Sequence, residues 1–233
     1  MSDGVLSIVI PTLDAASLLP GCLSALGEAR HAGLLREIVI ADAGGCAETV
    51  EIAHGFGASV FAALPGRGPQ LIAGAARSSG DWLLFLHADT RLENGWSREV
   101  KAFIAGESAA EMAAAFRLRL DDAAPEARRI ERLANWRSRR LALPYGDQGL
   151  LISRRLYDRV GGYRPLPLME DVDLVRRLVR LGGHRLRLLQ SAAVTSAARY
   201  RRDGWWFRPA RNLMLLTLWY LGLPPAWIAR LYG

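Results

Sequence analysis

Acidic residues stand where apolar runs give way to turns. Asp14 follows Leu6-Ser7-Ile8-Val9-Ile10-Pro11-Thr12-Leu13, Asp42 follows Glu37-Ile38-Val39-Ile40-Ala41, and Asp89 follows Trp82 to Leu86 through His87 and Ala88. Taken singly, Asp14 and Asp42 read as turn or helix-cap residues, for which Asp is preferred. Asp89 ends five apolar residues, and a carboxylate there suits Mg2+ or Mn2+. Such ions take carboxylate oxygens and complete their shell with water and diphosphate. His87 is a second candidate ligand, but a satisfied rim histidine is the plainer reading of it.

The densest acidic group is Glu170-Asp171-Val172-Asp173, at the start of a helix that ends in Arg176, Arg177 and Arg180. Acids first and bases last complement a helix dipole. That does not account for three acids in four residues after the apolar segment 165–169. A carboxylate at a helix start beside a cleft can take the proton from an incoming hydroxyl. Asp147-Gln148-Gly149 is a compact polar turn suited either to sugar hydroxyls or to turn chemistry alone. Gly66-Arg67-Gly68-Pro69-Gln70 opens a helix with loop glycines, a cation and free N–H groups, a cradle for an anion. Arg199, with Arg201 and Arg202, offers positive charge for a diphosphate late in the chain, or else a solvated basic face.

These residues need elements to hold them. Leu6 to Ile10, Glu37 to Ala41, Ala58 to Phe61 and Trp82 to Leu86 read as strands, with helices over 19–28, 47–56 and 67–78 between them. Continuous apolar runs imply strands covered on both faces, and repeated βα units imply a parallel, doubly wound sheet. Ligands of such sheets bind beyond the carboxyl ends of the strands, where Asp14, Asp42 and Asp89 fall. Farther on the pattern predicts strands at 113–120 and 149–153, helices at 125–143 and 171–181, and an aromatic-rich helical tail from Trp205 to Tyr232 broken by Pro224-Pro225. No repeat or low-complexity linker divides the 233 residues. We expect one domain: a nucleotide half (1–100), an acceptor and catalytic half (101–203) and a helical tail (204–233).

Composition narrows the class. With 51% hydrophobic and 23% charged residues the chain is neither disordered nor fibrous. Cys22 and Cys46 are too few for a disulfide framework or a thiolate zinc site, and read as reduced thiols of a cytoplasmic protein. The net charge of +7 hides an asymmetry: residues 1–100 carry 6 Arg against 11 acids, whereas residues 101–233 carry 24 bases against 12 acids. A basic half expects an anionic partner. Because all but one of its bases are arginine, we read a phosphate-bearing small molecule rather than nucleic acid. No signal peptide or membrane span is evident.

Taken together, Ser7-Ile8-Val9-Ile10-Pro11-Thr12-Leu13, Leu86-His87-Ala88-Asp89-Thr90, Tyr145-Gly146-Asp147-Gln148-Gly149 and Pro165 to Asp173 resemble family-two glycosyltransferases. The nearest likeness is to the arsenosugar-biosynthesis-type subgroup. The resemblance implies the GT-A fold, a mixed, mostly parallel sheet flanked by helices, and inverting transfer from a nucleotide-diphosphate sugar to an acceptor hydroxyl that the sequence does not name. It places Pro11, Thr12, Asp14 and Asp42 about the nucleotide, with Arg67 and Gln70 in an Arg-x-x-Gln segment nearby. Ala88 and Asp89 fall in the metal motif, where Asp89 stands for its last acid and His87 replaces its first. Asp147, Gln148 and Gly149 would border the sugar and acceptor, Arg199 the diphosphate, and Glu170-Asp171 would carry the catalytic base, Asp171. This sequence departs from the family after the first strand (Asp14-Ala15), after the second (Asp42 to Thr49) and at Ile72.

Two other readings remain open at this level. A sugar-phosphate nucleotidyltransferase uses a related sheet, but the segment 11–16 lacks the glycine-rich basic loop such enzymes carry. A non-catalytic membrane-surface or nucleic-acid-binding module is permitted by the basic half and by Trp205, Trp206, Phe207, Trp219, Tyr220 and Trp227, and a transferase could itself touch the inner face of the membrane through this tail. Packing of those aromatics onto the core is the alternative.

Overall fold

The computed structural model describes residues 4–182 and 186–232. The elements run β1 (Leu6–Thr12), α1 (Leu19–His31), β2 (Leu35–Asp42), α2 (Ala47–Gly55), β3 (Ser59–Ala62), α3 (Arg67–Arg77), β4 (Trp82–Phe85), β5 (Thr90–Leu92), α4 (Trp96–Ile104), β6 (Ala113–Leu120), α5 (Pro125–Leu141), β7 (Leu150–Ser153), α6 (Arg154–Arg159), α7 (Glu170–Arg180), β8 (Leu186–Thr195), α8 (Ala198–Asp203), α9 (Phe207–Tyr220) and α10 (Pro225–Tyr232). A short 3-10 turn, Gly146–Gln148, precedes β7.

All eight strands form one sheet, in the order β3-β2-β1-β4-β7-β6-β8-β5. The run β3-β2-β1-β4 is parallel throughout. Beyond it β7 runs against both β4 and β6, β8 runs with β6, and β5 runs against β8. The doubly wound parallel pattern therefore holds for the first four strands, and the whole sheet is mixed.

The apolar runs sort by alternation. Leu6, Ile8 and Ile10 of β1 with Leu84 of β4 and Leu86 beyond it join a cluster under α1 and α4 that includes Leu19, Leu23, Trp96 and Phe116. Val9, Leu83 and Phe85 face the other way, onto Leu71, Tyr157, Tyr163, Leu174 and Leu178. Both faces of these strands are covered, so their residues are mostly apolar, and the polar Ser7 and Thr12 of β1 are buried and hydrogen-bonded. Each fully buried Leu, Ile or Phe contributes about 1.5–3 kcal/mol.

Strand direction sets the functional edge. β1, β2 and β4 end on one rim, at Thr12, Asp42 and Phe85. Because β7 is antiparallel, Leu150 pairs with Phe85, and the turn before β7 reaches the same rim. Thr90 pairs with Thr195, so the start of β5 and the end of β8 arrive there as well.

Candidate active site

The β1–β2 side of the rim is tied together by its own hydrogen bonds. Thr12 Oγ1 donates to Asp42 Oδ1 (2.7 Å), and the Gly45 amide donates to Asp42 Oδ2 (2.7 Å). Gln70 Nε2 donates to the carbonyls of Thr12 and Ala41, each at 2.7 Å. Thr12, Asp42 and Gln70 are all buried, whereas Asp14 is exposed in a left-handed conformation (φ 49°) with its carboxylate against Gly44. Pro11 is partly exposed at the end of β1. Gly68 packs so tightly that a Cβ there would lie 2.6 Å from the Arg164 carbonyl, which pins the Arg67 loop against the segment before α7.

On the other side, Gly146 donates its amide to Asp171 Oδ2 (2.6 Å), and Val172 donates its own to Asp171 Oδ1 (2.7 Å). Two backbone donors thus aim the Asp171 carboxylate, and each oxygen keeps a lone pair for substrate. A Cβ on Gly146 would lie 2.7 Å from His87 Nε2 and 3.4 Å from Asp171 Oδ2, so no side chain fits between imidazole and carboxylate. Glu170 beside it is 3% exposed. Burial, and then the charge on Asp171, push its carboxyl well above the usual range, while Arg67 partly offsets them. Met169, which caps this helix, adopts φ 66°, a left-handed conformation that costs a non-glycine residue about 1–3 kcal/mol.

Between the two sides lies Asp147. Its Oδ1 is buried with no hydrogen-bond partner among the described residues. Burial pushes this carboxyl up to about 6; Arg137 and Arg67 pull it down, and the charges on Asp171 and Asp89 push it further up. His87 is held well below its ordinary value by burial and then by Arg67 and Arg199, so its imidazole is neutral. Asp89, Asp147, Glu170, Asp171, His87, Arg67 and Arg199 therefore form one electrostatic neighbourhood. Two hollows open here rather than one: His87, Glu170 and Asp171 line a narrow cleft of about 20 Å3 with Leu71, Phe85 and Tyr145, and Asp89 lines a separate, wider one of about 180 Å3 with Cys22, Arg91, Asp121 and Thr195. Ala88 is buried between His87 and Asp89.

Gln148 is wholly buried: Nε2 donates to the Phe116 carbonyl (2.9 Å) and Oε1 accepts from Ser138 Oγ (2.7 Å). Gly149 has φ 62° and lies close to Phe116 and Leu86. These two shape the turn that presents Asp147. Arg137, Tyr145 and Tyr163 are site residues that the sequence reading did not single out. The Arg137 guanidinium lies 3.5 Å above the Tyr145 ring and donates to the Leu143 carbonyl. The Tyr-Gly-Asp-Gln turn following a basic helix was the signal available for it.

The chemistry of the donors can be weighed for a divalent cation. No three His, Cys, Asp or Glu side chains among the described residues converge tightly enough to hold an ion by themselves. Mg2+ does not require such a cage, since one or two carboxylates plus substrate phosphates suffice. Asp89, together with an unpartnered buried oxygen on Asp147, fits a shell shared with a diphosphate.

An eight-stranded sheet in this order, with its acids on this rim, defines the GT-A fold. Mannosyltransferase PcManGT from Pyrobaculum calidifontis, solved with GDP-Man and Mn2+, superposes with a TM-score of 0.68 at 16% identity, over 97% of this chain and 72% of that one. Glucosyl-3-phosphoglycerate synthase from Mycobacterium tuberculosis, solved with Mn2+, UDP and phosphoglyceric acid, superposes with a TM-score of 0.62 at 19% identity, over 95% and 80%. The chain belongs to glycosyl transferase family 2, whose sequence profile matches residues 7–165. It is also 36% identical over 119 residues to the PGL/p-HBAD biosynthesis glycosyltransferases of Mycobacterium tuberculosis and Mycobacterium bovis. That match covers 45% of this chain and 43% of those relatives, so it spans less than half their length. The relatives carry that name rather than the arsenosugar-type one.

Proposed function

We propose that this chain moves a glycosyl group from a nucleoside-diphosphate sugar to an acceptor hydroxyl, with inversion at the anomeric carbon. The observation that carries this reading is Asp171, aimed by two backbone amides into a narrow cleft, with Asp89 in the neighbouring hollow and Asp147 within electrostatic reach of Asp171, Asp89 and Arg67. Asp171 takes the acceptor proton on a carboxylate oxygen as the hydroxyl oxygen attacks the anomeric carbon. The new C–O bond forms while the bond to the β-phosphate breaks, and its electron pair departs with the nucleoside diphosphate. Glu170, 3% exposed, is less open to an incoming hydroxyl than the half-buried Asp171. Arg67 and Arg199 supply fixed positive charge for the diphosphate. Mg2+ or Mn2+, when bound, adds positive charge against the leaving group, and Asp89 with Asp147 Oδ1 would hold it.

Thermal melting with UDP and GDP, each with and without Mn2+, tests the donor site. A metal-dependent rise worth a few kcal/mol at large ligand excess, roughly RT times the logarithm of the excess, is expected. No rise with either nucleotide would sink the donor assignment. Turnover unaffected by EDTA would remove the metal from it. A product of retained anomeric configuration would remove the inverting step.

A further inference from the structure

Helix α5 is inside out. Its buried positions are Ala127, Glu131, Ala134 and Ser138, small or polar. Its outward stripe is Arg129, Leu133, Trp136 and Arg140, with Leu133 63% and Trp136 57% exposed. An amphipathic helix serving only its own core would show the reverse. The stripe continues onto α9. The Arg129 guanidinium lies 5.9 Å from the ring of Trp206, the residue before α9, which is 69% exposed. Leu143, just past α5, shares a buried cluster with Leu216 of α9 and with Val172 and Val175 of α7. Contacts near both ends therefore lay α9 alongside α5. The outward positions of α9 include Phe207, Leu213, Met214 and Tyr220, and carry no charge. Eleven of the seventeen exposed large apolar side chains lie on α5 or from Trp206 onward, so the exposure is concentrated rather than scattered.

The occupant follows from charge. The exposed charged side chains of α5 are Arg129, Arg132, Arg139 and Arg140; of its two acids, Glu131 is buried against Arg128 and Glu126 is half-buried in the first turn. A second copy would set arginines against arginines across a twofold interface. Nucleic acid would leave the Leu and Met side chains without apolar cover. A surface of phosphate charge over acyl chains satisfies both components, with tryptophans at headgroup level. No helix among the described residues is long and apolar enough to cross a membrane, so the face would lie on the bilayer. We propose that the α5–α9 face docks on an anionic lipid surface. Because Arg137 of α5 stacks on Tyr145, the docking face and the cleft share one helix.

The test is flotation of the full chain with phosphatidylcholine vesicles, with and without phosphatidylglycerol. Flotation only with the anionic vesicles, falling about tenfold in Arg129→Glu/Arg132→Glu and in Trp136→Ser/Trp206→Ser, is expected. Nucleotide-induced melting shifts should be unchanged in both variants, which separates this outcome from failure of the proposed reaction. If a variant does not fold, quenching of tryptophan fluorescence in the parent chain by brominated acyl chains decides instead. No binding to anionic vesicles, equal binding to neutral ones, undiminished flotation of folded variants or no quenching would each overturn the proposal. So would self-association, measured by light scattering, that the same substitutions abolish.

Discussion

The two sides of the rim are built differently. Around Asp42 the carboxylate is served by Thr12 and Gly45 and Gln70 bridges two carbonyls, although Thr49 Oγ1 on the following helix is buried without a partner among the described residues. Around Asp171 an oxygen of Asp147 is left over, two carboxyls are displaced upward, and Met169 holds a conformation disfavoured for its type. The first side is scaffold. The second carries unfavourable energy that the rest of the fold sustains, which marks chemistry rather than packing.

Asp171→Asn should separate the two sides most sharply. It should lose about 10²–10⁴-fold in transfer rate, the usual worth of a general base, while nucleotide-induced melting shifts persist. Initial rates with a turnover assay decide; near-parental turnover would return Asp171 to scaffold. Next in size, Gln70→Ala removes two buried hydrogen bonds to the Thr12 and Ala41 carbonyls and should cost about 1–3 kcal/mol in denaturant unfolding. No loss would mean the Asp42 side is not the brace it resembles.

Asp147→Asn tests the side that carries the strain through pH. A carboxyl raised from its unfolded value toward 6 keeps its proton longer in the folded state. Its stabilising contribution is present below about pH 4 and lost as pH rises through 6. The Asn variant, compared with the parent by melting at about pH 4 and about pH 8, should be relatively more stable at the higher pH, by about 1–2 kcal/mol. An unchanged difference between the two pH values refutes the burial of that charge. Smallest is Met169→Gly, which should gain roughly 0.5–1 kcal/mol by relieving the left-handed backbone, offset in part by a more flexible unfolded chain. A loss of stability would show that the Met169 side chain matters more than its conformation.

Much of this was legible in the residues, for reasons that differ by region. β1, β2 and β4 announce themselves because both faces are covered and each carries a run of three or more apolar residues, Ile8 to Ile10, Ile38 to Ala41 and Trp82 to Phe85. β8 does not: Arg187, Gln190 and Ser191 break its apolar pattern, and its edge partner β5 has only three residues. Helices α4, α6 and α8 went unread, α4 beginning after a left-handed Gly95. The positions of Asp89 and Asp171 follow from strand-end and helix-start spacing. That Asp147 stands between them depends on the reversed pairing of β7 with β4, a long-range fact that no local pattern encodes. The tail was read as either packing or exposed, and it is both: Trp219 joins the cluster with Leu216 and Val175, and Trp205 stacks on Tyr200, while Trp206 and Trp227 stand in the open.

The reversal of β7 also bears on how such a scaffold diversifies. On a strand running with its neighbours, the segment that follows it faces ligand; on β7 it is the segment that precedes it. Residues added or removed between α5 and Leu150 would reshape the mouth of the cleft and leave the ladder between Phe85 and Leu150 in register. One loop can thus be rewritten for a new substrate while the framework stays as it is.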